Sequence, residues 1–581
     1  MRDYRHQRAI RTLLFATAIA FCGFALFPTQ AFASPTSPLL LGDGDICERV
    51  EDCFQAAVLP KERFAKALNN KEQVLLLKLS RLQRLMDRFP ATVWAKRAGM
   101  LSGMLLVERN PALATQFLRT AQRDFPVLGD YIRLWMGEAL LSLGEAKQAA
   151  EMFESIPQSV PDSYLVAKAA YRAGEAWYQA SSCSEATAWF AKAVELNDKE
   201  PGAPQALLRR GTCQLRGNNV LEGRETLKQL WIRFAYSAEA KEAEALLASN
   251  LGGAPWAVQP SERLARAQVY LGQSFHAEAI EELRKFLVAD PQSPRRAEAK
   301  LKLGIAQVRL KQYDQARETF HSLVKDGGSE SHEGSVWLAR TYLRQGQGDK
   351  LLEFARTIQT SSLSVEQKGQ IILFAGMWLE DQSRFDEAII RYRQVTKVGE
   401  PASQRAEARW RAGWVYYRTA RYREAGDELR QLADQYDSDF GPQALYWMGR
   451  AAELSQQPHA HDVYLQLCQR YVYTYYCQLA RERINIPLSE LLAAEPISAT
   501  VPADGGAPAK GEAARSVSVR DEIGQQSAYR RAIELKTLGL DLDATRELAG
   551  LTDRYNRDPD ALMALATMLS EMGAYHHALR L

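Results

Sequence analysis

The sequence has little net charge for its length, which narrows the classes of partner. Its 581 residues include 73 Lys+Arg against 70 Asp+Glu, a formal charge of only +3. This balance argues against nucleic acid as a partner, because nucleic-acid binders carry a strongly basic surface. Hydrophobic residues make up 46% of the chain, so the composition is that of a folded protein rather than a disordered one.

Motifs for phosphate, nucleophile and metal chemistry are also missing. No Gly-x-Gly-x-x-Gly follows a strand pattern, and no phosphate-binding loop, Gly-x-Ser-x-Gly or Cys-x-x-Cys occurs. Histidine is scarce, and the two close pairs, His459 with His461 and His576 with His577, lack further ligands at metal-site spacing. We therefore predict no metal site and no cofactor, and we place both histidine pairs in solvated turns.

One apolar run without charge spans residues 13–29, near the N-terminus. Four arginines precede it: Arg2, Arg5, Arg8 and Arg11. Together with the small residues that end at Ala33, this layout predicts a signal peptide at 1–33 and a mature protein in the periplasm without a stable membrane span. A retained anchor is the alternative, although the run is short for a spanning helix. A lipoprotein signal fits poorly, because bulky Phe21 precedes Cys22.

Cleavage after Ala33 would remove the whole net charge. It takes four arginines and one aspartate from the totals of 73 and 70, leaving 69 side chains of each sign. A neutral mature chain argues against simple electrostatic capture of anionic lipid or nucleic acid. Recognition should therefore depend on local patches.

Six of the seven cysteines fall in the predicted mature part. They are Cys47, Cys53, Cys183, Cys213, Cys468 and Cys477. An even number in an oxidising compartment permits three disulfides, and proximity along the chain favours joining them in the order given, two by two. Six cysteines allow 15 connectivities, so this pairing is one hypothesis among several.

An internal repeat is the strongest signal in the sequence. After Gly174, Trp177 follows at +3, Ala186 at +12, Phe190 at +16 and Ala193 at +19. This pattern resembles the tetratricopeptide repeat, a pair of antiparallel helices of about 34 residues. The resemblance implies that the glycine and alanines lie where the two helices cross closely, with the aromatic residues filling the space beside them.

Equivalent positions recur along most of the chain. The anchors are Gly137, Gly174, Gly211, Ala267, Gly304, Gly376, Gly413 and Gly449. Most neighbouring anchors are 36 or 37 residues apart, and a degenerate unit around residues 337–342 fills the longest gap. We predict an all-α, tetratricopeptide-like helical-repeat solenoid with mainly local contacts. An irregular helical bundle is the alternative.

Changes in composition predict the domain boundaries. The predicted segments are a signal peptide at 1–33, N-terminal helical repeats at 34–248, a break at 249–260, a second repeat block at 261–490, a flexible Pro/Ala/Gly linker at 491–520 and a helical region at 521–581. The last segment stops in what looks like the start of another helix, with Leu579 and Leu581 at its end. We therefore expect the natural protein to continue.

One cluster of tyrosines and arginines is a candidate binding surface. Its members are Tyr464, Tyr471, Tyr473, Tyr475, Tyr476, Arg470 and Arg481. These rings could stack on sugars while the polar groups bind hydroxyls; alternatively, the tyrosines pack one repeat against the next. Trp410, Trp414 and Trp447 occupy first-helix positions that we expect in the core.

The C-terminal quarter also resembles an enzyme family. Residues 443–451 and 473–480 look like the helical region ahead of the active domain in soluble lytic murein transglycosylases, and residues 531–548 and 573–575 look like the linker region that follows. The resemblance runs from about residue 440 to 581. Cys477 departs from it, because the family usually has glycine there.

This resemblance implies cleavage of the peptidoglycan glycan strand by a glutamate in a Glu-Ser motif. The chain has two such pairs, at Glu154 and Glu330, and neither is followed by the rest of the family's motif. We predict no catalytic residue within 1–581. Whether the protein is an enzyme depends on a catalytic domain beyond Leu581.

Two functional classes remain open. In the first, the chain is the exported, noncatalytic scaffold of a lytic peptidoglycan transglycosylase in cell-wall turnover. In the second, it is a periplasmic tetratricopeptide adaptor that binds proteins or peptides in envelope assembly, with no enzymatic activity. The expected partners are thus peptidoglycan or envelope proteins.

Overall fold

The computed structural model describes residues 39–40, 46–47, 49–58, 71–249, 256–398, 400–435, 437–487, 491, 519–552 and 554–581. The predicted signal peptide, residues 250–255 of the predicted break and most of the predicted linker lie outside these ranges. The chain divides into two compact units. The first unit contains residues 1–164 and 519–581, and the second contains 165–518.

The first unit begins with a short antiparallel pair, β1 (Leu39–Leu40) and β2 (Ile46–Cys47), in which Leu39 lies opposite Cys47. Its N-terminal helices are α1 (Val50–Val58), α2 (Lys71–Arg88), α3 (Val93–Leu106), α4 (Pro111–Asp124), α5 (Gly129–Ser142) and α6 (Ala146–Ser159), with a 3-10 turn at Pro126–Leu128. Side-chain caps fix some of these starts. Thr92 accepts a hydrogen bond from the Ala95 N–H at 3.2 Å, and Asn110 accepts one from Leu113.

The second unit consists of helices that pack against their neighbours in sequence. They are α7 (Val166–Gln179), α8 (Cys183–Leu196), α9 (Ala203–Arg216), α10 (Val220–Arg233), α11 (Ala238–Ala248), α12 (Pro260–Gly272), α13 (His276–Ala289), α14 (Arg296–Arg309), α15 (Tyr313–Asp326), α16 (Ser329–Gln345), α17 (Gly348–Thr357), α18 (Val365–Asp381), α19 (Phe385–Val398), α20 (Ala402–Arg418), α21 (Tyr422–Gln435), α22 (Asp437–Leu454), α23 (Ala460–Arg470) and α24 (Tyr475–Ile484). A 3-10 turn at Ile358–Thr360 follows α17.

The anchor glycines lie where paired helices cross. A Cβ built on Gly174 would lie 2.6 Å from Cδ1 of Phe190, a distance that real side chains do not tolerate. The same construction on Gly376 meets the ring of Tyr392 at 2.6 Å. Only glycine fits at such a crossing, as the repeat pattern predicts. The prediction of an all-α, tetratricopeptide-like solenoid is confirmed.

The turns within the helix pairs repeat as well. In the second unit, the turn after the first helix of each pair contains a left-handed residue. The non-glycine examples are Ser181, Asn218, Ser274, Lys311, Ser383, Ala420 and Gln456. The next residue turns back to the first helix of the pair: the Ser182 N–H donates to the Trp177 carbonyl at 3.0 Å, and Asn219 donates to Gln214 at 2.9 Å. One left-handed residue per pair thus ends the first helix and starts the return.

The remaining helices of the first unit come from the C-terminus. They are α25 (Ser527–Thr537), α26 (Asp541–Thr552), α27 (Pro559–Glu571) and α28 (Tyr575–Ala578). They contact the N-terminal helices of the same unit: Arg97 donates two hydrogen bonds to Glu534, at 2.6 and 2.8 Å, and Gln55 donates to the Thr537 carbonyl at 3.4 Å. The expectation that contacts stay local is therefore wrong for the first unit.

A buried ion cluster also joins these two parts of the first unit. Arg531 donates to Glu547 at 3.0 Å and lies 3.6 Å from Asp130, and all three residues are at most 2% exposed. Tyr131 donates to Glu547 at 2.8 Å, and Ser163 donates to Asp130. Burial raises the pKa of Glu547 above its ordinary value and outweighs the lowering by Arg531 and Tyr131. Two acids thus share one buried cation.

Candidate functional site

Three tyrosines of the predicted binding surface pack into the protein. Tyr464 is only 2% exposed, and its hydroxyl donates to Glu453 at 2.8 Å. Tyr471 and Tyr476 are partly buried against the core formed by α21 to α24, and the Tyr476 hydroxyl donates to Gln443 at 3.4 Å. These residues join one repeat to the next, which is the alternative that the sequence left open.

The other members of that cluster are more accessible or bind locally. Tyr473 and Tyr475 are exposed, at 83% and 67%. The Arg470 guanidinium lies 5.6 Å from the ring centre of Tyr471, and Arg481 donates to the Ile486 carbonyl at 3.1 Å, beyond the end of α24. The predicted cluster therefore divides between the core and the surface and does not form one continuous site.

A more continuous aromatic surface lies on α20 and α22. We use "aromatic surface" for Trp410, Trp414, Tyr417 and Trp447, all of them partly buried. The first three are four and three residues apart on α20 and share one face, where their rings stack at 6.0 and 5.7 Å between centres. Trp447 meets Trp414 and Tyr417 edge-on, at 4.8 and 5.0 Å.

This arrangement corrects the expectation that the three tryptophans lie in the core. Trp410 and Trp447 pack against the core but are only partly buried, and Trp414 is partly buried as well. Within the described ranges, no protein group accepts a hydrogen bond from the indole N–H of Trp410, Trp414 or Trp447. The aromatic surface therefore combines partly accessible rings with three indole N–H groups that have no acceptor among the described residues.

A charged network borders the aromatic surface. Glu453 accepts hydrogen bonds from Arg450 at 2.7 Å, Arg483 at 3.2 Å and Tyr464 at 2.8 Å. Burial alone would raise the pKa of Glu453, but Tyr464 and the two arginines lower it below its ordinary value. Burial lowers the pKa of Arg450, but the hydrogen bond to Glu453 and then the nearby Tyr417 raise it above its ordinary value, which places this arginine near the aromatic surface. The network holds the border of the surface in its charged form.

The structure pairs the six cysteines by proximity. Its disulfides are Cys47–Cys53, Cys183–Cys213 and Cys468–Cys477, with Cα atoms 5.3, 5.3 and 4.8 Å apart. These separations lie within the range that disulfides require. Each bond stays within one unit and joins neighbouring elements: β2 to α1, α8 to α9, and α23 to α24.

The two Glu-Ser pairs lie on repeat helices, Glu154 on α6 and Glu330 in the first turn of α16. The Ser329 hydroxyl donates to Glu330 at 2.6 Å and lowers the pKa of this exposed carboxyl. Among the residues that the structure describes, no cluster of His, Cys, Asp and Glu could hold a metal ion. In the same ranges, no helix has the length and apolar character needed to cross a bilayer.

Comparisons with known proteins identify the repeat. A tetratricopeptide repeat model matches residues 264–330, 301–350 and 376–440, and a second one matches 131–163. The chain contains tetratricopeptide repeats. These matches cover α5 and α6, which the structure places in the first unit, and much of the second unit. No curated protein sequence matches the chain.

Solved tetratricopeptide repeat structures are similar at low identity. A tetratricopeptide repeat protein from Parabacteroides merdae is 12% identical, covers 48% of this chain and 98% of its own, and has a TM-score of 0.24. The P58(IPK) TPR domain is 17% identical, with coverage of 63% and 98% and a TM-score of 0.19. Cut9–Hcn1 of the APC/C is 13% identical, with coverage of 75% and 98% and a TM-score of 0.26.

Proposed function

We propose that this protein is an exported tetratricopeptide scaffold that binds the glycan strands of peptidoglycan, as the noncatalytic part of a lytic transglycosylase. The observation that carries the proposal is the aromatic surface. Sugar rings have apolar C–H faces that pack on aromatic rings, while their hydroxyls accept hydrogen bonds from indole N–H groups. Trp410, Trp414 and Trp447 supply both features on adjoining helices.

The rings on α20 suit an extended ligand better than a single sugar. Trp410, Trp414 and Tyr417 follow one another along one helix face, with ring centres about 6 Å apart. A strand of linked sugars could contact successive rings. Arg450 and Arg483, held by Glu453, would lie at the border of such a strand.

Export is supported by the basic and apolar N-terminal segment and by the cysteines. Three disulfides suit an oxidising compartment such as the periplasm, because cytosolic thiols are kept reduced. Peptidoglycan is the polymer available for binding in that compartment. The glutamate that such catalysis requires would lie outside residues 1–581.

A pelleting experiment with purified peptidoglycan sacculi tests the proposal. We expect the full chain to sediment with sacculi, and Trp414→Leu to bind about five- to tenfold more weakly, the size expected for one aromatic contact. Trp189→Leu is the matched control: Trp189 is also a partly buried tryptophan of the second unit, but it lies on α8, where Lys192 covers its ring at 4.6 Å.

Each result has a defined meaning. If the wild-type chain does not sediment, or if Trp414→Leu and Trp189→Leu lose binding equally, the glycan-binding proposal is wrong. The alternative function, a periplasmic adaptor for envelope proteins, predicts that the chain captures proteins but not sacculi. Release of anhydro-muropeptides by this chain alone would contradict the prediction that no catalytic residue lies within it.

A further inference from the structure

One loop of the second unit presents two exposed aromatic rings. It joins α23 to the first residue of α24, and we call residues 471–475 the tyrosine loop. Tyr473 and Tyr475 are 83% and 67% exposed, and neither hydroxyl has a hydrogen-bond partner among the residues that the structure describes. Packing between repeats accounts for Tyr464 and Tyr476 but not for these two rings. Their exposure therefore needs another explanation.

The tyrosine loop is held in place on both sides. The Cys468–Cys477 disulfide joins α23 to α24 across it, with Cα atoms 4.8 Å apart. Within the loop, the Thr474 hydroxyl donates to the Tyr471 carbonyl at 2.8 Å and accepts from the Cys477 N–H at 3.4 Å, which caps α24. Because the backbone is already ordered, a ligand that packs on these rings loses less conformational entropy than one that must order the loop.

A series of ring contacts connects the tyrosine loop to the aromatic surface. The ring centres of Tyr475 and Tyr476 are 5.6 Å apart, and those of Tyr476 and Tyr446 are 5.7 Å apart. Tyr446 in turn meets Trp447 of the aromatic surface at 5.3 Å. Tyr446 is buried and Tyr476 is partly buried, so the accessible rings at the two ends are joined through the core. Each step is shorter than 6 Å, and the loop therefore lies near the aromatic surface.

The chain at and after the tyrosine loop carries no formal charge. Residues 471–480 contain no Asp, Glu, Lys, Arg or His. The arginines on either side bind within the protein: Arg470 lies 5.6 Å from the ring centre of Tyr471, and Arg481 donates to the Ile486 carbonyl at 3.1 Å. The loop itself therefore offers no counter-ion to a charged segment of a partner. Rings with hydroxyl groups instead suit an uncharged polymer that has both apolar faces and hydroxyls.

We propose that the tyrosine loop is a second contact for the glycan strand and binds its uncharged sugar backbone. This inference rests on the proposed glycan-binding function and deepens it: one strand packs on the aromatic surface and continues to Tyr475 and Tyr473. The N-acetylated sugars present apolar C–H faces to the rings, and their hydroxyl and acetamido groups bind the tyrosine hydroxyls. The stem peptides, which carry the charges of peptidoglycan, do not take part in this contact. The site thus recognises a long stretch of linked sugars rather than one sugar or a peptide.

Isothermal titration calorimetry with the full chain tests this contact. The probes are the trimer and the hexamer of β-1,4-linked N-acetylglucosamine, which carry no peptide and no charge. We expect the hexamer to bind at least about tenfold more tightly, because one molecule then reaches both groups of rings. Tyr475→Ala should weaken hexamer binding about fivefold and leave the trimer, which the aromatic surface alone can hold, unchanged. Tyr473→Ala should act in the same direction. Added salt should leave the hexamer's affinity unchanged, because no ion pair forms at the loop.

Tyr236→Ala is the matched control, because Tyr236 is also an exposed tyrosine of the second unit, but its ring stacks on Phe275 at 6.1 Å. It should bind both oligomers like the wild type. Wild-type hexamer binding by both Tyr475→Ala and Tyr473→Ala, equal affinity for the two oligomers, or a strong loss of affinity in salt would overturn the inference. A chain that sediments with sacculi through Trp414 but binds no hexamer would overturn this inference alone. A chain that binds neither sacculi nor oligomers would overturn the proposed function as well.

Discussion

Replacing one anchor glycine by alanine should destabilise the second unit. In Gly174→Ala the new Cβ would lie 2.6 Å from Cδ1 and 2.7 Å from Cε1 of Phe190, whose side chain is fully buried. Carbon atoms pack best at about 3.5–4.0 Å, so the two helices must separate or the ring must leave its position. Overpacking of this kind costs about 1–3 kcal/mol, whereas alanine's better helix propensity returns up to about 1 kcal/mol. We expect a net loss of about 1–2 kcal/mol.

Gly426→Ala provides the matched control. Gly426 also lies inside a helix of the second unit, but a Cβ built there would meet nothing within 4 Å. Only the propensity gain of about 0.5–1 kcal/mol should remain, so the control should be more stable than the wild type. Urea unfolding followed by circular dichroism at the helix band measures both variants. The reasoning fails if Gly174→Ala is as stable as Gly426→Ala.

A second substitution tests whether the Phe190 ring is the cause. The repeat that begins at Ala267 already has alanine at the anchor position, and its partner sixteen residues later is Leu283; both are fully buried in one cluster. Gly174→Ala/Phe190→Leu reproduces that pair. The double variant should lose less stability than the two single losses together, and strict additivity would mean that the two positions do not interact.

Two further predictions concern the covalent and ionic links. Cys183→Ala/Cys213→Ala opens a bond between residues 30 apart in sequence and should lower the free energy of unfolding by about 3–4 kcal/mol, measured by urea unfolding of oxidised protein; an unchanged midpoint would mean that the bond does not form. Because the folded-state pKa of Glu547 is raised, its contribution to stability is present at low pH and lost as the pH rises through that pKa. Glu547→Gln should remove this dependence on pH. Arg531→Gln should lower the free energy of unfolding by about 3–5 kcal/mol, and by more at high pH than at low pH, because two buried carboxylates lose their cation. Parallel pH profiles of both variants and the wild type would contradict this expectation.

The repeats could be predicted because their signal is local and recurs many times. Gly174 and Phe190 are sixteen residues apart, and the same spacing at Gly376 and Tyr392 leads to the same helix crossing. One occurrence of this spacing would not have predicted a repeat, but its recurrence along the chain indicates that the same contact is repeated. The all-α class and the helix pairs follow from this pattern.

The exposure of the tryptophans could not be predicted in the same way. Periodicity assigns Trp410 and Trp414 to one helix face, but it does not tell how much of that face the next repeat covers. The sequence also places the like charges of Arg340 and Arg344 one turn apart on one helix. Whether a carboxylate pairs with either arginine depends on side chains from neighbouring helices, which a local sequence pattern does not report.

The ion cluster of the first unit had no local signal at all. Arg531 follows a helical pattern like many surface arginines, and its contact with Asp130 spans about four hundred residues of chain. No periodic pattern predicts a contact between two such distant segments. Changes in composition therefore separate residues 34–248 from residues 521–581 into different predicted segments. The structure instead groups helices from both segments in one compact unit.

That grouping has a consequence for the order in which the protein forms. The first unit is discontinuous: residues 165–518 leave the ribosome after α1 to α6 and before their partners α25 and α26. The second unit can complete its local contacts during synthesis. The contacts of Asp130 and Tyr131 cannot form until Arg531 and Glu547 have been synthesised. A nascent chain stopped before residue 519 should protect the later repeats from protease and leave the earliest helices open to cleavage. The first part to be synthesised is thus among the last to be finished.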